Sequence, residues 1–331
     1  VSSKEIRLVS VPDGLPRLEN FAVVEVPTPA AGPGQVLVRN LFFQVSARLR
    51  PLLSGATEGT PLPSVRPGDS LPSATVGEVV TAPGGSGLAA GDLVSHWSGW
   101  REYAAVPAGA CTPLGKVFDD PVVHLGSGWT AYLALTQCAD LRPGETVLVT
   151  GGTGGVGSLA AQIARQLGAA RVIGTTGSPA KADRMVSELG YDVAVVRGQR
   201  SIADAAPDGI DVVVDNVGGD ELRAAVAAAR TGARVSLVGT LASQLSPAGD
   251  GATAPVELDT FSLILKGISI RGVGRVDDPA IRSQWQDRFG GWLAGGHVVF
   301  PHVRVPGIES APRALQEVMS GKHIGTVVVE L

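Results

Sequence analysis

An α/β chain of two domains, one of them a doubly wound parallel sheet, is predicted by three observations. An apolar β-branched run at 146–150 feeds a glycine cluster at 151–157 and then an apolar-periodic segment at 159–167, the pattern of strand, tight turn and helix. From Val122 onward, strand-like and helix-like segments alternate, as crossover connections between parallel strands require. The 331 residues also exceed what a single core comfortably serves, so a second domain is the default.

Taken in order, the first third is turn-rich and β-like. Short apolar runs at 21–26, 35–43 and 75–81 are separated by Pro-Gly and Gly-Asp punctuation, which predicts a strongly bent sheet or partial barrel. A helix is expected near 128–137, then strand 146–150, helix 155–167, strand 171–175, helix 179–189 and strand 193–196. Strand 211–215, helix 220–229, strand 234–239 and a last parallel strand at 268–273 complete that sheet. A Trp-containing helix at 280–294 leads into strands at 298–305 and 325–331. These final strands fit the N-terminal β region better than the parallel sheet, so the first domain is expected to be discontinuous: 1–117 with 297–331, around a second domain at 118–296.

Hydrophobic content of 44% and a net charge of −4 describe an ordinary soluble protein. Basic residues are scattered and aromatics are 5%, so the electrostatic footprint of nucleic-acid binding is missing. No apolar stretch of spanning length is present, and Lys4, Glu5 and Arg7 interrupt any apolar signal core; no membrane is expected, and the cytoplasm is the expected location. The two cysteines, Cys111 and Cys138, and the five histidines are dispersed. No cluster has metal-ligand spacing, so no metal site is expected, which disfavours zinc-assisted polarisation of a substrate oxygen.

Read as G-x-G-x-x-G on Gly152, Gly154 and Gly157, the glycine cluster allows a sharp turn, close approach of a pyrophosphate and tight helix–strand packing. Free N–H groups at the helix start then face the phosphates. A dinucleotide is expected there. About 20 residues on, where an NAD site places Asp or Glu, the segment Gly174-Thr-Thr-Gly-Ser178 offers small and hydroxyl residues, followed by Lys181 and Arg197. Hydroxyls and cations without a carboxylate suit an adenosine 2′-phosphate and favour NADPH over NADH. The alternative leaves Lys181 and Arg197 as solvated surface charges. Asn216 stands where a parallel strand ends, the ligand edge of such a sheet; a structural Asx-turn role is the alternative.

Six further motifs carry a resemblance: Gly99-Trp-Arg-Glu-Tyr103, Gly128-Trp-Thr-Ala-Tyr132, Pro143-Gly-Glu-Thr146, Gly177-Ser-Pro-Ala-Lys181, Asp215-Asn-Val-Gly-Gly219 and Gly321-Lys-His-Ile-Gly325. In this order, and over most of the chain, the sequence resembles the zinc-independent medium-chain reductases, in the branch of prostaglandin reductases and plant double-bond reductases. The resemblance implies a Rossmann domain, a GroES-like bent-sheet catalytic domain completed by the C-terminal strands, and a homodimer. It places Gly154, Gly155, Val156 and Gly157 on the pyrophosphate and Lys181 on the 2′-phosphate; Ser178 and Arg197 are further cofactor candidates from the residues themselves, Arg197 standing where the family commonly has a tyrosine. Asn216, Gly239 and Thr240 fall along the ribose and nicotinamide, Thr130 near the nicotinamide, and His323 where the family usually has an Asn that touches the cofactor.

The departures fall in the substrate pocket. The family's Asp-Pro-Tyr-Met-Arg stretch is replaced by Ser46-Ala-Arg-Leu-Arg50, and a family tyrosine before the last parallel strand by Thr260 or a neighbour. Two phenols are missing. The implied reaction is NADPH-dependent reduction of the C=C bond of an α,β-unsaturated carbonyl, in which negative charge develops on the carbonyl oxygen. Ser46, Arg48, Arg50 and Thr130 are the candidate catalytic residues. An arginine acts there electrostatically, because it stays protonated, and a surface position is the alternative for at least one of the two. Guanidinium in place of phenol favours a conjugated carbonyl bearing an acidic oxygen. An aromatic secondary-metabolite intermediate suits the high-GC character of the composition. A quinone reductase and a non-catalytic NADPH-binding protein are the alternative functions.

Overall fold

The computed structural model describes residues 2–57, 60, 62–274, 276 and 278–331. It divides into two compact units: Val1–Leu125 with Gln244–Ala252 and His302–Leu331, and Gly126–Ser243 with Thr253–Pro301.

The second unit is built on six parallel strands. Their spatial order is Val193–Val196, Arg171–Thr176, Thr146–Val149, Ile210–Asp215, Ala229–Leu237 and Ser269–Gly272. Counted along the chain this is 3-2-1-4-5-6, the doubly wound order of dinucleotide-binding sheets. Central strands read as continuous apolar runs because helices cover both faces; Val147, Leu148, Val149, Val212, Val213 and Val214 are all fully buried. Helices Gly157–Gln166, Pro179–Glu188 and Gly219–Ala227 return the chain between strands. Helix Pro279–Ala294 presents Trp285 and Phe289, stacked 4.2 Å apart, to Tyr132 and Trp129.

The helix expected at 128–137 is in fact two pieces. An α-helix spans Gly128–Leu133 and widens into a π-helical turn at Ala134–Cys138, where the Ala139 N–H bonds back to the Ala134 carbonyl. The Ser236 hydroxyl donates to that same carbonyl at 2.8 Å. A side chain from the sheet thus supplies the donor that stabilises the wider turn.

The first unit holds a mixed sheet in the order His302–Pro306, Thr326–Glu330, Gln35–Val45, Thr75–Thr81, Leu93–His96 and Thr112–Pro113, with Tyr103–Pro107 also paired to Gln35–Val45. Register shifts along the contact between Gln35–Val45 and Thr75–Thr81 bend it. A separate hairpin pairs Ser2–Leu8 with Phe21–Pro27. Trp100 is buried at φ +54, an uncommon backbone for a bulky residue, and is gripped by Phe21 and Phe43 at 6.0 and 5.5 Å. The C-terminal strands join this sheet as expected, but the first is shorter than 298–305: pairing starts at His302, after Pro301, which has no N–H for a ladder.

Candidate cofactor site and the residues around it

At the C-terminal edge of the parallel sheet, the chain leaves Thr146–Val149 through Thr150 and turns at Gly151, φ +62. Each glycine of the turn answers a different constraint. A methyl on Gly152 would fall 2.5 Å from the Met185 methyl and 2.8 Å from the Tyr191 hydroxyl. One on Gly157 would run into the Gly151 carbonyl and the Gly152 backbone, so this residue lets the helix start against the strand. Gly154 is different. Its nearest neighbour would be the Gly151 carbonyl at 3.5 Å, ordinary contact, so nothing within the protein requires glycine there. Close approach of a pyrophosphate would.

The N–H groups of Gly155, Val156 and Gly157, at the start of helix Gly157–Gln166, have no acceptor among the described residues. Unpaired N–H groups and the positive end of the helix dipole suit this turn to an anion. Tyr191 fixes the turn from below: wholly buried, its O–H is shared between the carbonyls of Gly157 at 2.8 Å and Gly152 at 3.3 Å. Burial pushes that phenol well above its ordinary value, so it stays protonated.

Asn216 follows strand Ile210–Asp215. Its amide donates to the Thr150 carbonyl at 2.7 Å, and its backbone N–H to the Thr150 hydroxyl at 2.8 Å. That hydroxyl donates to Asp215 at 2.7 Å, and the Gly218 N–H bonds the other carboxylate oxygen at 3.0 Å. Burial nonetheless raises the Asp215 carboxyl above its usual range. The Asn216 side-chain oxygen is buried with no partner among the described residues. The amide therefore has the structural role weighed above and still presents an unused acceptor, which a ribose hydroxyl fits. A methyl on Gly239 would sit 2.8 Å from the Asn216 carbonyl, and Thr240 follows on the same edge. Free helix-start donors, an unused acceptor and a glycine with no close protein neighbour are together compatible with a dinucleotide.

Where the second strand ends, the Ser178 hydroxyl caps no N–H of the following helix, and the Ser178 N–H donates to the Thr176 hydroxyl at 3.2 Å. Lys181 is half-buried, and burial with nearby Arg184 lowers its pKa. Arg197 lies across Gly177, where an added methyl would sit 2.6 Å from its guanidinium. The strand end itself carries no carboxylate, as the sequence indicates, but one reaches it from another element. Glu221, from the first turn of helix Gly219–Ala227, accepts from the Thr175 hydroxyl and pairs with Arg197 at 3.2 Å. Reading 20 residues past the turn misses it because it arrives from another crossover; the Asp220-Glu221 pair directly after Gly218-Gly219 is the signal that could have found it.

Thr130 is half-buried on helix Gly128–Leu133 in this second unit. Ser46, Arg48, Arg50 and His323 belong to the first unit. Ser46 is half-buried in the turn after strand Gln35–Val45, and Arg48 is exposed. Arg50, by contrast, is buried; its guanidinium donates to the Gly249 carbonyl at 2.7 Å, while burial pulls its pKa down. The surface alternative therefore fits Arg48 and not Arg50. His323 pairs with Glu317 at 2.8 Å. Cys111 and Cys138 carry free thiols, Cys138 half-exposed, and the described residues contain no group of three or more metal-ligating side chains.

Two family models match the chain, "N-terminal domain of oxidoreductase" over residues 4–114 and "Zinc-binding dehydrogenase" over residues 155–291. The NADPH-dependent curcumin reductase of Escherichia coli is 30% identical, with 98% of this chain and 95% of that protein covered. The NADP(+)-dependent 2-alkenal reductase of Nicotiana tabacum is 29% identical, over 99% and 97%. The crystal structure of CurA in complex with NADPH from Vibrio vulnificus superposes with a TM-score of 0.87 at 29% identity, covering 99% of this chain and 98% of that one. With full-length relatives, the six-stranded order and the glycine turn in agreement, the chain belongs to the zinc-independent branch of the medium-chain dehydrogenase/reductase family, among the prostaglandin reductases and double-bond reductases.

Proposed function

We propose that this protein is an NADPH-dependent reductase of the C=C bond of α,β-unsaturated carbonyl compounds. The reading rests on the glycine turn, whose Gly154 answers to no protein neighbour closer than ordinary contact, and on full-length similarity to two NADPH-dependent reductases. Residues 118–296 serve as the dinucleotide-binding domain, and 1–117 with 297–331 as the catalytic domain.

Gly152, Gly154, Gly155, Val156 and Gly157 hold the pyrophosphate; Ser178, Lys181 and Arg197 serve the 2′-phosphate; Asn216, Gly239, Thr240 and His323 complete the cofactor contacts. Bound there, NADPH supplies a hydride to the β-carbon of the substrate. The protein must then stabilise the enolate oxygen. Ser46 donates a hydrogen bond, buried Arg50 supplies positive potential, exposed Arg48 adds only longer-range attraction for an acidic substrate, Thr130 orients the reacting face, and water protonates the carbon. Conjugated carbonyls with an acidic oxygen are the preferred substrates.

A homodimer and a cytoplasmic location belong to the same reading. Strand Ser269–Gly272 is the outer strand of the parallel sheet, and the helix leading into it, Thr260–Lys266, exposes Phe261, Ile264 and Leu265 by 67%, 75% and 67%. A second copy is the occupant that would cover both. No helix among the described residues is long and apolar enough to cross a membrane.

The deciding experiment is product analysis with NADPH deuterated at its transferable position. Deuterium on the β-carbon of a saturated ketone is expected. Deuterium on a carbinol carbon would replace this reaction with carbonyl reduction. NADPH oxidation by quinones without turnover of enones would favour a quinone reductase, and silence with every acceptor a binding protein.

A further inference from the structure

Glu221 belongs to helix Gly219–Ala227, which follows the fourth strand of the parallel sheet, yet its partners lie at the ends of the second and third. One carboxylate oxygen accepts from the Thr175 hydroxyl, and the other pairs with Arg197 at 3.2 Å. In the order 3-2-1-4 this link crosses the edge of the first strand, directly beside the glycine turn: the Gly151 N–H bonds the same Thr175 hydroxyl at 3.0 Å. The Glu221 side chain is 12% exposed, against 65% for Arg197, so the acid is the buried partner and the guanidinium the exposed one. The carboxylate uses one acceptor site on each oxygen and keeps others for a ligand.

That edge is where a doubly wound sheet receives the adenosine half of a dinucleotide, and a carboxylate at the end of the second strand is the group that accepts from a ribose 2′-hydroxyl. The local positions, Thr175, Thr176 and Ser178, carry hydroxyls alone. Here the acid is delivered from a different crossover, next to the cation best placed for a 2′-phosphate.

We propose that Glu221 is a specificity-determining residue that narrows the preference for NADPH over NADH, by occupying Arg197, repelling the 2′-phosphate and offering an acceptor to a free 2′-hydroxyl. The inference rests on the reading that a nicotinamide dinucleotide binds at the glycine turn. With NADPH bound, the 2′-phosphate competes with the Glu221 carboxylate for Arg197. With NADH bound, the Glu221–Arg197 pair stays intact.

The test is titration of the purified full chain with NADPH and with NADH, followed by protein fluorescence at fixed ionic strength, for wild type, Glu221→Gln and Asp220→Asn. Glutamine keeps an oxygen for Thr175 but loses the charge, so the ratio Kd(NADH)/Kd(NADPH) should rise roughly tenfold, mostly through tighter NADPH binding. Asp220, exposed and paired with Arg223, removes the same charge one residue away; Asp220→Asn should leave the ratio within about twofold. An unchanged or lower ratio in Glu221→Gln, or an equal rise in Asp220→Asn, overturns the inference while leaving the cofactor assignment standing. If the wild type binds neither dinucleotide, the assignment falls and the inference with it. If Glu221→Gln fails to fold, Arg197→Gln decides: loss of NADPH affinity with NADH affinity kept supports the competition, and equal loss of both overturns it.

Discussion

His96, on strand Leu93–His96, is buried, and its Nδ1 accepts from the Ser98 N–H at 3.1 Å. Its Nε2 has no partner among the described residues. Burial first, and Arg101 second, hold the imidazole at about 4, below its usual 6.5. The folded state therefore resists a proton that the unfolded chain accepts. Stability tied to this group is complete above pH 6.5 and is lost as pH falls toward about 4, by on the order of 3 kcal/mol in all. Urea midpoints measured from pH 7 to pH 4 should fall more steeply for wild type than for His96→Gln; parallel curves would show that this ring titrates unhindered. At Arg48 the expectation concerns selectivity. Arg48→Ala should lower kcat/KM for carboxylate-bearing enones several-fold and leave neutral ones unaffected, and equal kinetics on both would return Arg48 to a purely solvated role. Single residues were unevenly legible in the sequence. Asn216 stands beside its own motif, whereas Glu221 is joined to Thr175 and Arg197 by topology alone.

The glycine turn separates fold from ligand within one element. Gly157→Ala forces a methyl against the Gly151 carbonyl, so it should lower Tm by several degrees. Gly154→Ala meets nothing closer than 3.5 Å, so Tm should stay unchanged while NADPH affinity falls at least about tenfold. A Gly154→Ala protein with native affinity would mean that no ligand backbone approaches there. Elements with a strong period or a glycine signature were legible in sequence, including all six parallel strands. Others hid for identifiable reasons. Strand Ser2–Leu8 alternates apolar residues only at Ile6 and Leu8, because Lys4 stands where a third would fall. Helix Ala311–Met319 carries Pro312, which reads as a break but sits in the first turn, where no N–H is needed. Helix Thr260–Lys266 turns apolar side chains outward, so its pattern points to no core.

At the scale of the molecule, the exposed helix Thr260–Lys266 and the outer strand after it predict assembly. Light scattering should give two copies per particle for wild type and one for Phe261→Glu/Ile264→Glu; a monomeric wild type at micromolar concentration would remove the dimer from the reading. The discontinuous domain was visible in the sequence because the closing strands follow the last parallel strand and a helix. Which neighbours they choose was not, since a short valine run pairs equally well in many registers. The strand Thr326–Glu330 lies inside its sheet, parallel to His302–Pro306 on one side and antiparallel to Gln35–Val45 on the other. During synthesis, strand Gln35–Val45 is made well before Thr326–Glu330, so that seam closes only after the whole parallel sheet between them has emerged. Through that interval Phe42, Phe43 and Val45 stand on an open strand edge, so a sheet begun before the parallel one is completed after it, with an apolar edge exposed to mispairing in the meantime.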